Sequence, residues 1–337
     1  MAVKALASHP DYLETPFGRQ LLSLAFSAEM RSMAADIGGV GVLTALTEQR
    51  IAFSLVKGPS MALLHPRGWP RPYADLDILV APDAYGSAVA CAEDLGFTQS
   101  ERAVPQWTWF GRICREGSNF HSASGGNLDF HHHIPPWSLA SNFTVPDIIS
   151  RSTPRQFYGT EVRFGEPRDL LVISAFHILN DLWKGKLGLA SWRDVILLTR
   201  ALGEADAGFA FERAGVPWLF DLFRAELASE LPEAGIGSAP SEPAIPLLAR
   251  LRLAGLGWAN DSSATRHRLA WATRLPPLNA LAFLAGSAVP SPTYVRSRHG
   301  TYFGYWKRGL VETASTLRGS DYRMTTVDDD EEPSPAG

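Results

Sequence analysis

VKGPSMALLHPRGWPRPYADLDILV, residues 56–80, places two carboxylates two positions apart inside an otherwise apolar run. Residues 75–80, DLDILV, read as a strand, in which side chains i and i+2 leave the same face, so Asp75 and Asp77 are expected to project together. Like charges held side by side near a core repel and resist burial, and a divalent cation is the natural compensation. Upstream, 51–56 reads as an earlier strand that ends at Lys57-Gly58-Pro59-Ser60 and passes into a short helical piece over 61–65. A glycine at such a junction lets the backbone approach a phosphate closely, with a helix N-terminus behind it. Residues 127–131, NLDFH, are a further strand-like piece that supplies a third acid, Asp129.

Outward from this stretch, residues 1–15 carry His9-Pro10 and Thr15-Pro16 and are expected to be irregular. Apolar residues at three- and four-residue intervals over 21–35 predict an amphipathic helix, and a second helix over 40–49 leads into the strand at Ile51. After Val80 the pattern predicts a helix over 84–95 closed by Gly96, antiparallel strands over 107–114 and 117–121, and a tight turn at Gly125-Gly126-Asn127. A further strand is expected over 161–164, giving a mixed sheet. From Arg168 the periodicity is helical, over 169–183, 191–202, 209–214, 218–231, 245–258, 263–273, 278–286 and 302–317. Residues 232–246 are rich in proline, glycine and serine and read as an exposed loop, while the acidic, proline-bearing end after Met324 reads as disordered.

At this point the chain resembles the poorly characterised nucleotidyltransferases of the DNA polymerase beta-like superfamily. Their pattern runs strand, Lys-Gly, short helix, Arg, Asp-x-Asp with Leu-Val after it, then a later strand with Asp-x-His. The matching residues are Lys57, Gly58, Arg71, Asp75, Asp77, Asp129 and His131, within about residues 51–192, and Pro59-Ser60 stands where small residues are more usual. The resemblance implies an α+β fold: a nucleotidyltransferase-like mixed sheet with flanking helices over residues 1–166, an all-helical domain over 167–323, and an acidic tail over 324–337. It implies catalysis and metal binding by Asp75, Asp77 and Asp129, with Lys57, Gly58, Ser60 and Arg71 at the nucleotide. Two Mg2+ ions and a nucleoside triphosphate, ATP, would serve the transfer of a nucleotidyl group to an unidentified acceptor: a small molecule, sugar, peptide or protein.

Each signal has a plainer reading. An isolated Asp-x-Asp is as often a solvated strand end, Gly58 can serve a turn alone, and Arg71, four residues before Asp75, can neutralise the acidic pair instead of touching substrate. The run His131-His132-His133 would put Asp129, His131 and His133 on one strand face, as a zinc site requires, but no cysteine lies nearby. The preferred role for His131 is to orient the acids, with His132 as filler. His177 and Asp181 share a helix face and either line the cleft or satisfy each other, and His177 is a second candidate behind the acids. Trp107, Trp109 and Trp137 can stack on a base or pack a core.

Composition narrows the partners. With 337 residues, 45% of them hydrophobic, the chain suffices for two domains with buried cores. The formal net charge of -4 gives no general attraction for long nucleic acid. Cys91 and Cys114 are too few for a disulfide framework, and no run approaches the roughly 18 apolar residues of a membrane span, so a cytoplasmic protein without membrane contact is expected. Two rivals share the same residues: phosphoryl transfer at the same metal site, and a silent nucleotide-binding or partner-docking module.

Overall fold

The computed structural model describes residues 14–65, 71–100, 113–123, 125–134, 139–140, 142–183, 188–230, 235–237, 243–254, 269, 271–273 and 275–317. Helix α1 spans Pro16–Glu48; Thr15 caps it by accepting a hydrogen bond from the Gly18 amide at 3.0 Å, and Pro16 occupies the first turn. One continuous helix therefore replaces the two expected. Gly38 and Gly39 do not break it, because they serve a close approach. A Cβ on Gly38 would lie 2.4 Å from the Gly126 Cα, and one on Gly39 would lie 2.4 Å from a Leu76 methyl. The last turns bury Val42, Leu43 and Leu46, whereas Phe17, Leu24, Phe26 and Met30 of the first half are exposed.

The chain then enters β1 (Phe53–Leu55), a single turn α2 (Pro59–Ala62), β2 (Leu76–Val80), α3 (Tyr85–Asp94), β3 (Thr98–Gln99), β4 (Gly117–His121) and β5 (Asn127–His131). Helix α4 (Val145–Arg151) and the strands β6 (Thr153–Phe157) and β7 (Thr160–Phe164) complete the sheet. Its order is β3-β4-β5-β2-β1-β7-β6. Strand β2 runs parallel to β5 and antiparallel to β1, and β1 runs parallel to β7, so the sheet is mixed as expected. Alternation sorts its two central strands. Leu76, Ile78, Val80, Leu128 and Phe130 pack in one core with Val42, Leu43 and Leu46 of α1, each such burial being worth roughly 1.5–3 kcal/mol. The opposite parity leaves Asp77, Asp129 and His131 together on the other face.

Three strand expectations change. Asp75 lies just before β2, which begins at Leu76. Ile113 and Cys114 are helical instead of extended, and residues 107–112, with Trp107 and Trp109, fall outside the described residues, as does Trp137. Strand β6 had no sequence signal because it is an edge strand, exposed at Thr153, Pro154, Arg155 and Gln156, with no apolar alternation.

The helical part follows with α5 (Pro167–Trp183), α6 (Leu189–Leu202), α7 (Glu204–Arg213) and α8 (Pro217–Glu230). The described residues within 1–104, 115–180 and 188–246 belong to one compact unit. Residues 105–114, 181–187 and 247–337 form a second unit, whose described helices are α9 (Leu247–Ala254), α10 (Pro277–Ala288), α11 (Pro292–His299) and α12 (Tyr302–Leu317). In that unit the Asn279 amide donates to the Ile113 carbonyl at 2.7 Å, and the Trp306 indole donates to the Ala288 carbonyl at 2.9 Å. The expected disordered tail lies outside the described residues, beyond 317; of the expected irregular lead, residues 1–13 lie outside them, and Glu14 and Thr15 are non-helical. No helix among the described residues is long and apolar enough to cross a membrane.

Candidate active site

Parallel pairing sets Asp77 directly across from Asp129, and His131 two residues on across from Leu79. The His131 Nε2 lies 3.1 Å from Asp129 Oδ2 and 3.4 Å from Asp77 Oδ1. Asp77, Asp129 and His131 each offer one ligating atom, and these three atoms lie within 4.8 Å of one another. The β1 to β2 pairing extends one residue beyond the strand through the Val56 amide and the Asp77 carbonyl, at 3.1 Å, which delivers Lys57 beside the same carboxylate. Its Nζ donates to Asp77 Oδ1 at 2.9 Å. On the other flank the β4 to β5 hairpin pairs Asn119 with Asp129. With its amide nitrogen turned to the carboxylate, Asn119 donates at 2.7 Å and 3.2 Å.

These neighbours set the charges. Burial alone would raise Asp77, but the Lys57 ammonium and His131 outweigh it and hold the carboxyl well below its usual range. His177 on α5 adds to this with a smaller favourable field at Asp77. Burial would lower His131, yet Asp129 and Asp77 push it up to about 10. Lys57 is likewise raised, burial being overcome by Asp77. Asp75 borders this group, half-buried, and is pushed up to about 6 by burial and by the Asp77 charge. The site thus holds three carboxylates against one ammonium and one imidazolium.

Gly58 makes the turn at the end of β1 with φ 49° and ψ -114°, a conformation that a side chain rarely adopts. A Cβ there would also meet the Asp75 carbonyl at 3.1 Å and the Tyr73 ring at 3.4 Å. The segment that carries Asp75 is fixed from α1. Ser32 accepts from the Tyr73 amide and donates to the Tyr73 carbonyl, both at 2.9 Å, and the Tyr73 hydroxyl donates to buried Asp36 at 2.8 Å.

Two expected nucleotide contacts have other partners. The Ser60 hydroxyl donates to the Leu55 carbonyl at 2.6 Å and its amide to the Lys57 carbonyl at 3.0 Å, so both of its donors are used within the turn. Arg71 donates through Nε to Asp194 Oδ2 at 2.8 Å, and His65 meets the other oxygen at 3.0 Å. Arg71 is therefore neutralised by α6 instead of neutralising Asp75 and Asp77. The histidine pair that the zinc alternative would need is not brought together with the acids among the described residues. His132 is buried with its ring 4.5 Å from Tyr85 and 4.6 Å from His133, and His133 is not in the Asp77, Asp129, His131 group.

Sequence reasoning passed over Asn119, and it placed Asp194 with Trp192 and Arg193 at the opening of a helix without linking it to Arg71. The first was within reach: a hairpin turn at Gly125-Gly126 fixes the register that brings residue 119 to 129. The second carries no local signal, since it sits 123 residues after Arg71.

The donor set fits a divalent cation. Two carboxylates and an imidazole converge from one sheet face, the stronger acid is ionised, and the present positive charges are side chains that a cation would replace or displace.

A family model described as an uncharacterised nucleotidyltransferase matches residues 1–217. No curated protein matches the chain. Two solved structures do, each with a TM-score of 0.37. The solution structure of the antibiotic-resistance factor ANT(2'')-Ia is 14% identical over 59% of this chain and 96% of its own. The crystal structure of an antigenic nucleotidyltransferase-like protein from Paracoccidioides brasiliensis is 13% identical over 62% of this chain and 96% of its own.

Proposed function

The chain belongs to an uncharacterised nucleotidyltransferase family, and on that premise we propose that it transfers the AMP moiety of ATP to an acceptor hydroxyl in a reaction dependent on a divalent cation. The observation that carries the reading is the alignment of Asp77 with Asp129 across parallel strands, joined by His131 and flanked by Lys57. Asp77 and Asp129 hold the cation, with Asp75 at its border; the family resemblance implies Mg2+, and two ions. Bound there, the cation offsets charge developing on the attacking oxygen and the departing pyrophosphate.

The side chains divide the remaining work. Lys57 and His131 keep Asp77 ionised, so that residue enters the reaction as a ligand and not as a proton store. Asp129 is more open, with about a quarter of its side chain accessible, and faces the acceptor, whose hydroxyl proton it accepts. Asn119 fixes the Asp129 carboxylate in plane by donating to both oxygens. Gly58 lets the turn lie close to the triphosphate, and Lys57 moves from Asp77 toward phosphate oxygen when the nucleotide arrives. Ser60 shapes that turn through its internal hydrogen bonds.

Calorimetry with a non-hydrolysable ATP analogue, with and without Mg2+, tests this for the parent and an Asp75→Ala, Asp77→Ala double variant. The expected result is cation-dependent binding in the parent that the double variant loses, followed by an acceptor whose mass grows by one AMP. An acceptor heavier by one phosphoryl group assigns terminal phosphoryl transfer instead. A folded parent that binds none of the four ribonucleoside triphosphate analogues refutes the reading.

A further inference from the structure

The atom of His131 that faces the acids is the one with ligating capacity. A histidine that only steadies a carboxylate ligand needs a single contact to it, from the side away from the ion. Here Nε2 sits between two carboxylates on different strands, 3.1 Å from Asp129 Oδ2 and 3.4 Å from Asp77 Oδ1. An ion bound at about 2.0–2.2 Å to nitrogen and oxygen holds neighbouring donors about 3.0–3.5 Å apart. The two measured separations, now held by the charged imidazole against both carboxylates, match the edges of such a shell, so an ion that displaces the Nε2 proton meets the donors at ligating spacing. The position is also backbone-determined: Asp129 and His131 are i and i+2 on β5, and Asp77 is locked to Asp129 by the register. His131 is buried, so its ring has no solvent-facing alternative.

Asp75 is placed differently. It lies outside the strand and outside the group of three mutually close ligating atoms. An all-carboxylate shell of Asp75, Asp77 and Asp129 is thus less formed in this fold than a shell of two carboxylates and one imidazole.

Donor chemistry then bears on which ion is taken. Mg2+ requires oxygen donors in near-ideal octahedral geometry and keeps its waters, whereas imidazole nitrogen suits first-row transition ions. Resting on the nucleotidyltransferase reading and deepening it, we propose that His131 Nε2 is a direct metal ligand beside Asp77 and Asp129, and that this mixed oxygen and nitrogen site takes divalent first-row transition ions, for which Mn2+ serves as the paramagnetic probe, in preference to Mg2+.

The test uses the full chain, stripped of metal with a chelator and loaded with Mn2+ alone. Pulsed electron paramagnetic resonance reads nitrogen nuclei bonded to the ion. The expected parent spectrum contains imidazole nitrogen modulation, which His131→Gln abolishes while circular dichroism shows the variant folded. Calorimetry of the parent is expected to give a dissociation constant for Mn2+ at least about tenfold below that for Mg2+, and this comparison stands even if His131→Gln fails to fold. Bound Mn2+ without nitrogen modulation, or Mg2+ bound as tightly as Mn2+, overturns the proposal. Adding the ATP analogue separates the two readings. An oxygen-only spectrum with retained nucleotide binding removes His131 from the ion and leaves the transferase intact; nitrogen modulation without nucleotide binding does the reverse.

Discussion

Asp75→Asn is expected to make the metal-free protein more stable while removing activity. The carboxyl of Asp75 is raised from 3.8 to about 6, by burial first and by the charge of Asp77 second, so its ionised form is penalised in the folded state. At 1.36 kcal/mol for each tenfold change in the proton equilibrium, that displacement corresponds to about 3 kcal/mol when the group is fully ionised. Because Asp75 is partly open to solvent, the measurable share is on the order of 1–3 kcal/mol. The sign follows from proton counting. Between pH 3.8 and about 6 the folded state binds more protons than the unfolded chain, so this group's contribution falls as pH rises through that window and stays at its lowest above it. Urea unfolding of parent and variant in a chelator should show Asp75→Asn ahead by about 1–3 kcal/mol at pH 8, with the gap closing toward pH 4. A variant equal to or weaker than the parent at pH 8, or a gap that does not change with pH, would refute this reading of the site's charge balance. Saturating divalent cation should reverse the order, since it binds the folded parent and loses a border carboxylate in the variant.

In α1, Gly38→Ala is expected to destabilise by roughly 1–3 kcal/mol, because its Cβ would meet the Gly126 backbone at 2.4 Å, whereas Gly41→Ala, with nothing within 4 Å, should stabilise by about 1 kcal/mol. Differential scanning calorimetry of the pair decides it, and Gly38→Ala matching Gly41→Ala would sink the close-approach argument. Asp194→Ala should cost about 3–5 kcal/mol by leaving buried Arg71 without its counter-charge, and the Arg71→Met, Asp194→Leu double variant should cost less than that single change. Denaturant unfolding of the set gives the comparison, and a double variant at least as damaged as Asp194→Ala would show that the pair is not acting through its charge.

What was legible in the sequence was what local periodicity carries. Asp77 and Asp129 stand out because an acid in a run such as Leu-Asp-Ile-Leu-Val breaks the apolar rule of a central strand, and the two breaks prove to be register partners. The glycines of α1 show the limit of the same logic. Apolar periodicity separates helices at 21–35 and 40–49; in the fold the intervening Gly38-Gly39 marks where one continuous helix touches a sheet, and only the partners, Gly126 and Leu76, reveal it. Arg71 shows it for charge. Four residues from Asp75, it is expected at the nucleotide, with the nearest acids as the plainer alternative, but its counter-ion arrives from α6 and leaves the cluster at 75, 77 and 129 dependent on Lys57 and His131. That difference is functional. A site neutralised by a buried arginine would resist a cation, whereas one neutralised by a lysine that can swing away and a histidine that can lose its proton and ligate is open to exchange. The same chain of contacts explains why Asp75 can remain strained beside Asp77: the segment is pinned from behind by Ser32 and Asp36 through Tyr73, so relief by moving the backbone is closed to it, and relief by a bound cation is not.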